Sequence, residues 1–140
     1  MSATEAGRAP KPTPIATDVS NEFWNQAQAG RLVAQFCTRC NSYQHYPKPV
    51  CALCWGSDLE WRPLAGTGTV YTFTIVHRGP SKEFSDTPYA VGLVDLDEGI
   101  RMMGGLLATS LDELRVGDPV RVKFEARGDT MIPAFERIAR

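Results

Sequence analysis

The chain has 140 residues, of which 43% are hydrophobic and 22% charged, and its formal net charge is −1. These values are typical of a globular domain and argue against both wholesale disorder and a strongly basic nucleic-acid-binding surface. No run of 18 or more apolar residues occurs, so we expect no transmembrane helix. The first 30 residues also lack the apolar stretch of a secretory signal. We therefore expect a cytoplasmic protein.

The first thirty residues divide into two parts. Residues 1–17 are rich in Ala, Pro and Thr without hydrophobic periodicity, which predicts a flexible tail. Over residues 18–30, one face at helical spacing consists of Val19, Phe23, Trp24 and Ala27, and either Asp18 or Ser20 is the candidate N-cap. We predict an amphipathic N-terminal helix there. Its two aromatic side chains pack either on the body of this chain or against a partner subunit, and we take both as candidate partner contacts.

All four cysteines lie within 18 residues, as two Cys-x-x-Cys pairs separated by ten residues: Cys37, Cys40, Cys51 and Cys54. Each pair can direct two thiolates to one ion, and two pairs complete the tetrahedral site of structural zinc. Iron accepts the same four ligands, so zinc and iron stay open. Such a closed site has no free coordination position, which indicates a structural role. Two disulfides or a thioredoxin-like dithiol are disfavoured by the expected compartment and by the lack of a βαβ pattern.

The rest of the chain reads as β-structure. We assign residues 31–64 to the metal ribbon, with a two-strand hairpin over Tyr43 to Val50 between the cysteine pairs. From residue 65 to 140 hydrophobic residues alternate with period two, in five strands with one short helical turn between the third and fourth. That element order is typical of an OB-fold barrel, and we place Tyr71 and Phe73 in its core. The predicted fold class is mostly β: an N-terminal helix, a four-cysteine rubredoxin-like zinc ribbon and a five-stranded OB-fold barrel.

These motifs, in their order and spacing, resemble one known family. The segments that carry the resemblance are Phe23-Trp24, Gly30 to Leu32, the two cysteine pairs with Tyr46-Pro47 between them, Gly66 to Thr74, Pro88 to Val94 and Leu114 to Val120. Over residues 18–138 the chain is similar to the small proteins with a rubredoxin-like zinc ribbon and an OB-fold known as domain of unknown function family 35 (DUF35).

The resemblance implies a function that the composition does not. Members of this family look like acyl-CoA-associated, non-catalytic accessory subunits of thiolase-fold enzymes. The partner would be a thiolase, an acetyltransferase, a hydroxymethylglutaryl-CoA synthase or a sterol-carrier-type aldolase, and we favour a thiolase or an aldolase. The partner would hold the catalytic residues for carbon–carbon bond cleavage or formation, and the small subunit would support acyl-CoA binding. The resemblance also implies a heterotetramer with two copies of each chain. From the composition we expect no membrane partner, and the net charge makes nucleic acid a less favoured one.

The sequence shows no catalytic set of its own, because every cysteine is assigned to metal and no nucleophile elbow is present. CoA carries phosphates and an apolar arm, so its binding needs cations beside apolar or aromatic side chains. On that basis we select His45, Lys48, Arg78 and Lys82 as candidate ligand contacts, although each is also a typical surface residue.

Two other functions are compatible with a ribbon and a barrel. Both folds bind single-stranded nucleic acid through stacked aromatic residues and a basic groove, although the net charge of −1 argues against this. An iron-loaded ribbon would be an electron carrier of the rubredoxin type, which its colour would reveal.

Overall fold

The computed structural model describes residues 10–139, so the first nine residues of the predicted tail lie outside the described residues. Within this range the chain forms helix α1 (Asn21–Gln28) and the strands β1 (Val33–Cys37), β2 (Ser42–Gln44), β3 (Leu59–Pro63), β4 (Thr67–Val76), β5 (Tyr89–Leu96), β6 (Arg101–Leu107), β7 (Pro119–Arg127) and β8 (Thr130–Arg137). Short 3-10 turns occupy Lys82–Phe84 and Leu111–Glu113. No helix between residues 10 and 139 is long and apolar enough to cross a membrane.

Helix α1 lies against the barrel rather than standing apart. The amide of Gln28 donates to the carbonyl oxygen of Asp129 (2.9 Å), and its carbonyl oxygen accepts from the backbone N–H of Met131 (3.1 Å). These two bonds tie the end of the helix to the turn between β7 and β8. The hydroxyl of Ser20 accepts from the backbone N–H of Thr17 (2.9 Å) and makes no side-chain cap on α1.

The ribbon is a three-stranded antiparallel sheet in the order β2-β1-β3. The prediction of a hairpin over residues 43–50 is wrong, since β2 pairs with β1 and no strand follows it before β3. Instead of a paired strand, side-chain amides of the ribbon form hydrogen bonds with the backbone of the segment that precedes and includes the second cysteine pair. Gln35 is 6% exposed, accepts from the backbone N–H of Lys48 (2.8 Å) and donates to its carbonyl oxygen (2.9 Å). Gln44 likewise accepts from the N–H of Ala52 (2.8 Å).

The second half of the chain closes into a barrel with strand order β4-β5-β6-β8-β7. β6 and β8 pair in parallel and the other neighbours are antiparallel. The turn at Leu111–Glu113 lies between the third and fourth barrel strands, as the OB-fold interpretation predicts. One core runs through both halves of the chain. Its fully buried barrel side chains meet Phe23 from the helix and Leu32 and Ala34 from the ribbon.

A β-bulge changes the face of one predicted core residue. The register of β4 against β5 shifts between Val70 and Thr72, so Tyr71 points outward and is 47% exposed. The guanidinium of Arg101 lies 3.4 Å from the centre of its ring and is held there by Asp95 (2.6 Å). The placement of Tyr71 in the core is therefore wrong, because an inserted residue breaks the period-two alternation that predicted it.

Candidate metal centre and ligand cleft

The four cysteines meet in one cluster, with all four sulfur atoms within 4.8 Å of one another. The Sγ atoms of Cys37 and Cys54 are 3.7 Å apart, and those of Cys40 and Cys51 are 3.9 Å apart. A tetrahedral zinc ion with Zn–S bonds of about 2.3 Å requires sulfur separations of about 3.8 Å. The sulfur atoms of the four predicted ligands are therefore spaced as a tetrathiolate metal ion requires.

The two cysteine pairs share one local conformation. Asn41 and Trp55 each follow the second cysteine of a pair, and both have left-handed backbone, with φ of 53° and 61°. The backbone N–H of Leu53 donates to the Sγ of Cys51 at 3.3 Å. Such N–H donors from Cys54 and Leu53 lower the pKa of Cys51 to about 6, which favours the thiolate that a metal binds. Trp55 is 80% exposed at this tip, a position that the motif alone does not reveal.

A second feature is an apolar cleft of about 930 Å³ between the barrel, the helix and the ribbon. Its floor is the outer face of β5 and β6, where alternate residues point toward the cleft; these are Tyr89, Val91, Met103, Gly105 and Leu107. Trp24 of α1, His45 of the ribbon and residues 11–14 of the N-terminal segment form its sides. Four separate parts of the chain thus create one concave surface, a shape typical of small-molecule sites.

His45 belongs to the wall of this cleft. Its ring lies 5.6 Å from that of Phe23 and 4.2 Å from that of Tyr46, measured between centroids. Its Nδ1 atom is buried without a hydrogen-bond partner among the described residues. Burial, with a smaller effect of the nearby Lys48 charge, lowers the pKa of His45 to about 4. The imidazole is therefore neutral at physiological pH.

The charges at the cleft rim balance one another. Lys11 forms an ion pair with Asp86 at 3.1 Å, and Arg127 and Glu125 supply one further charge of each sign. The Phe84 ring lies between the two cations, with Lys11 Nζ at 5.7 Å and the Arg127 guanidinium at 5.8 Å from its centre. The rim is thus amphipathic but close to neutral.

The structure brings some of the sequence-selected residues to this cleft and leaves others outside. His45, Trp24 and Phe23 line it, and Phe23, which is only 5% exposed, contacts Trp24 edge to face with 4.9 Å between the ring centres. Three selected cations, namely Lys48, Arg78 and Lys82, are exposed and do not line the cleft, so their role as ligand contacts stays a prediction. The sequence analysis did not select Lys11 and Arg127. Both cations contact the Phe84 ring, but they are too far apart in the sequence for a local pattern to show this.

Comparison with protein families gives matches over most of the chain. Residues 24–60 match the ChsH2 rubredoxin-like zinc ribbon domain, and residues 61–125 match the ChsH2 C-terminal OB-fold domain. The chain is 32% identical to a DUF35 domain-containing scaffold protein of Pyrococcus furiosus, over 73% of this chain and 75% of that protein.

Several relatives carry functional names. The chain is 36% identical, over 91% of its length, to a probable enoyl-CoA hydratase alpha subunit of Thermomonospora curvata, but spans only 40% of that relative. It is 28% identical to the benzoylsuccinyl-CoA thiolase subunit BbsA of Thauera aromatica, over 76% of this chain and 74% of that one. Among solved structures, a chain of the Ltp2-ChsH2(DUF35) aldolase superposes with a TM-score of 0.82 at 31% identity, covering 89% of this chain and 98% of that one.

Proposed function

Since this chain belongs to the DUF35 family of proteins with a rubredoxin-like zinc ribbon and an OB-fold, we propose that it is the accessory subunit of a thiolase-fold enzyme that acts on acyl-CoA. The partner, a thiolase or an aldolase, would catalyse carbon–carbon bond cleavage or formation. This chain would stabilise the complex and help to bind the acyl-CoA. Relatives named as a thiolase subunit and as part of an aldolase support this assignment.

The observation that carries the proposal is the chemical character of the cleft. It offers an apolar concave surface, and its one histidine, His45, has a buried Nδ1 without a hydrogen-bond partner among residues 10–139. In a nucleophile–histidine–acid arrangement a third group orients the histidine through a hydrogen bond, and the Nδ1 of His45 makes no such bond among the described residues. A cleft of this kind suits ligand binding, with the reactive groups supplied by the partner subunit.

In the proposed function the metal ion has a structural role. Four thiolates occupy every position of a tetrahedral ion, and zinc in such a site holds a small segment in its fold. Cysteine thiols stay reduced in the cytoplasm, and a tetrathiolate site needs reduced cysteines. A cytoplasmic location is therefore favoured for the proposed complex. We also propose two copies of each chain, because thiolase-fold enzymes are commonly dimers.

Co-purification tests the proposed partnership. A tagged copy expressed in its native host should elute with a thiolase-fold protein in equimolar amount, in a complex whose mass fits two copies of each chain. Trp24→Ala should reduce this capture if α1 contacts the partner, and it leaves the core residue Phe23 intact. Val116→Ala is the matched control, since Val116 is 66% exposed and lies outside the cleft lining. Elution without any stoichiometric thiolase-fold protein would contradict the proposal.

A further inference from the structure

An acyl-CoA has two chemically different ends, and the cleft matches one of them. We propose, on the basis of the proposed function, that the cleft binds the acyl group of the substrate and not its phosphorylated nucleotide. The acyl group that fits is bulky, uncharged and ring-containing, and Gly105 determines how large it can be.

The size of the cleft supports the first part of this proposal. Small-molecule sites enclose about 300–1,000 Å³. At about 930 Å³ the cleft lies near the upper end of that range, so a two-carbon acyl group would leave most of it empty. Aromatic and thioether side chains around it, among them Trp24, Tyr89 and Met103, suit flat apolar rings.

The charges argue against a nucleotide. Phosphate groups are bound by unpaired arginine or lysine side chains or by clusters of backbone N–H groups. The cations on the cleft rim are Lys11 and Arg127, and each has a counterpart of opposite sign on the same rim, Asp86 and Glu125. Lys11 is directly paired, at 3.1 Å from Asp86. A neutral group can enter this cleft without separating charges, whereas a phosphate would meet two carboxylates.

Gly105 lies on the cleft floor, at a position from which a side chain of residue 105 would extend into the cleft. It lies opposite Val91 in the β5–β6 ladder, and both residues line the cleft. A Cβ atom built on Gly105 has its nearest neighbours, Ala134 Cβ and the carbonyl oxygen of Ala90, at 3.9 Å. The backbone therefore accepts a side chain at position 105, and the volume that it takes is taken from the cleft.

Binding of a neutral fluorescent ring compound to the zinc-loaded full-length chain tests this inference. We would titrate 1-aminoanthracene into the wild-type protein, Gly105→Leu and the control Thr69→Leu, which adds similar bulk to the exposed β4 residue Thr69 outside the cleft lining. We expect the probe to bind the wild type and the control equally, and Gly105→Leu to bind about tenfold more weakly or worse. Far-UV circular dichroism and zinc content establish that each variant is folded.

Competition identifies which end of the ligand enters. 2-Naphthoyl-CoA should displace the probe, whereas free CoA and acetyl-CoA should not. Displacement by free CoA, no binding of the probe to the folded wild type, or equal binding to Gly105→Leu would each overturn the inference. If Gly105→Leu does not fold, Met103→Trp gives the same test. Met103 is 57% exposed on the cleft floor, so an indole at this position would take its extra volume from the cleft.

Partner capture separates this inference from the proposed function. If a thiolase-fold protein co-purifies but the probe does not bind, the acyl site is wrong and the accessory role stands. If the probe binds as expected but no partner is captured, the accessory role is wrong and the acyl site stands. If the purified partner alone displaces the probe and Gly105→Leu abolishes capture, the cleft is a protein interface and the inference is overturned.

Discussion

The rings of Phe23 and His45 lie 5.6 Å apart, so that a core residue of α1 and a loop residue of the ribbon contact each other directly. Through this pair the ribbon loop is fixed against the helix, and the helix is in turn fixed to the β7–β8 turn by Gln28. The relative placement of ribbon and barrel around the cleft therefore depends on buried contacts and not only on the covalent connection.

The burial of His45 predicts a dependence of stability on pH. Its pKa is about 4 in the folded protein and 6.5 when unperturbed, so the unfolded chain binds a proton more readily than the folded one. The stabilisation from neutral His45 is complete above pH 6.5 and is lost as the pH falls toward 4. His45→Phe should reduce the acid loss of unfolding free energy by about 3 kcal/mol relative to wild type, at about 1.4 kcal/mol for each unit of difference in pKa.

Histidine NMR measures the same quantity directly. The chain contains two histidines, so the His45 signal can be assigned with the variant. Metal loss at low pH affects both proteins, and the difference between them isolates His45. A His45 signal that titrates at its ordinary value of 6.5 would refute the prediction.

Metal content is a second prediction. The purified chain should contain one equivalent of zinc and be colourless, and cobalt substitution should give the intense thiolate-to-metal absorption of a tetrathiolate site. Cys51→Ser should lose the metal together with the thermal stability of the ribbon, because a structural metal supplies folding energy. Surface replacement of Thr38, the exposed residue after Cys37, by Ser should keep both. Visible absorption of the native protein would instead indicate iron.

The adjacent glycines of β6 should respond differently to alanine. A Cβ on Gly104 would lie 3.1 Å from the Phe135 ring and 3.2 Å from the carbonyl oxygen of Pro133. Since Phe135 is fully buried, we expect Gly104→Ala to lower the free energy of unfolding by about 1–3 kcal/mol. Gly105→Ala should change it by less than about 0.5 kcal/mol. Chemical denaturation of both variants provides the comparison, and equal losses would contradict it.

Asp118 should be the most sensitive charged residue of the barrel. It is 2% exposed and accepts from Arg137 Nε (3.0 Å) and from the backbone N–H of Arg115 (2.8 Å). Asp118→Ala leaves the half-buried Arg137 without this partner, so we expect a loss of about 3 kcal/mol or more. The exposed Arg121–Glu136 pair is the internal control, because Arg121→Ala should cost less than about 1 kcal/mol. Similar losses of unfolding free energy in Asp118→Ala and Arg121→Ala would show that burial does not determine how much these ion pairs contribute to stability.

The nucleic-acid alternative can be tested on the barrel face where Tyr71 is exposed. One face of its ring is covered by Arg101, 3.4 Å from the ring centre, and Asp95 neutralises that arginine. We therefore expect no binding of oligothymidylate at low salt. Binding that falls steeply with salt, as counterion release requires, would favour the alternative.

The sequence was sufficient to predict the four-cysteine cluster and the succession of barrel elements along the chain. Cys-x-x-Cys spacing is set by local geometry, and the alternation in residues 119–137 follows from a half-buried sheet, so both predictions depend on neighbouring residues only. The structure brings the four sulfur atoms together and closes the five strands into a barrel.

Features that depend on distant residues were not predicted. The bulge at Tyr71 inserts one residue into an otherwise regular pattern, and nothing in β4 itself marks its position. The apolar cleft needs residues 11–14, Trp24, His45 and β6 to meet, which the predicted elements do not specify. Trp24 and Phe23 are equivalent in the helical pattern, but tertiary packing buries Phe23 and leaves Trp24 only partly buried, while both line the cleft.

Two glutamine side chains of the ribbon limit how far the spacer between the two cysteine pairs can change in length. Gln35 holds Lys48, and Gln44 holds Val50 and Ala52, so each amide is matched to a backbone position at a fixed number of residues from the cysteine pairs. An insertion between Pro47 and Cys51 would move these backbone groups and leave the buried Nε2 of Gln35 without its acceptor, while its Oε1 would keep the hydrogen bond from Gln44 Nε2 (2.7 Å). Relatives with a longer spacer should therefore have replaced both glutamines together, and those with ten residues should have kept them.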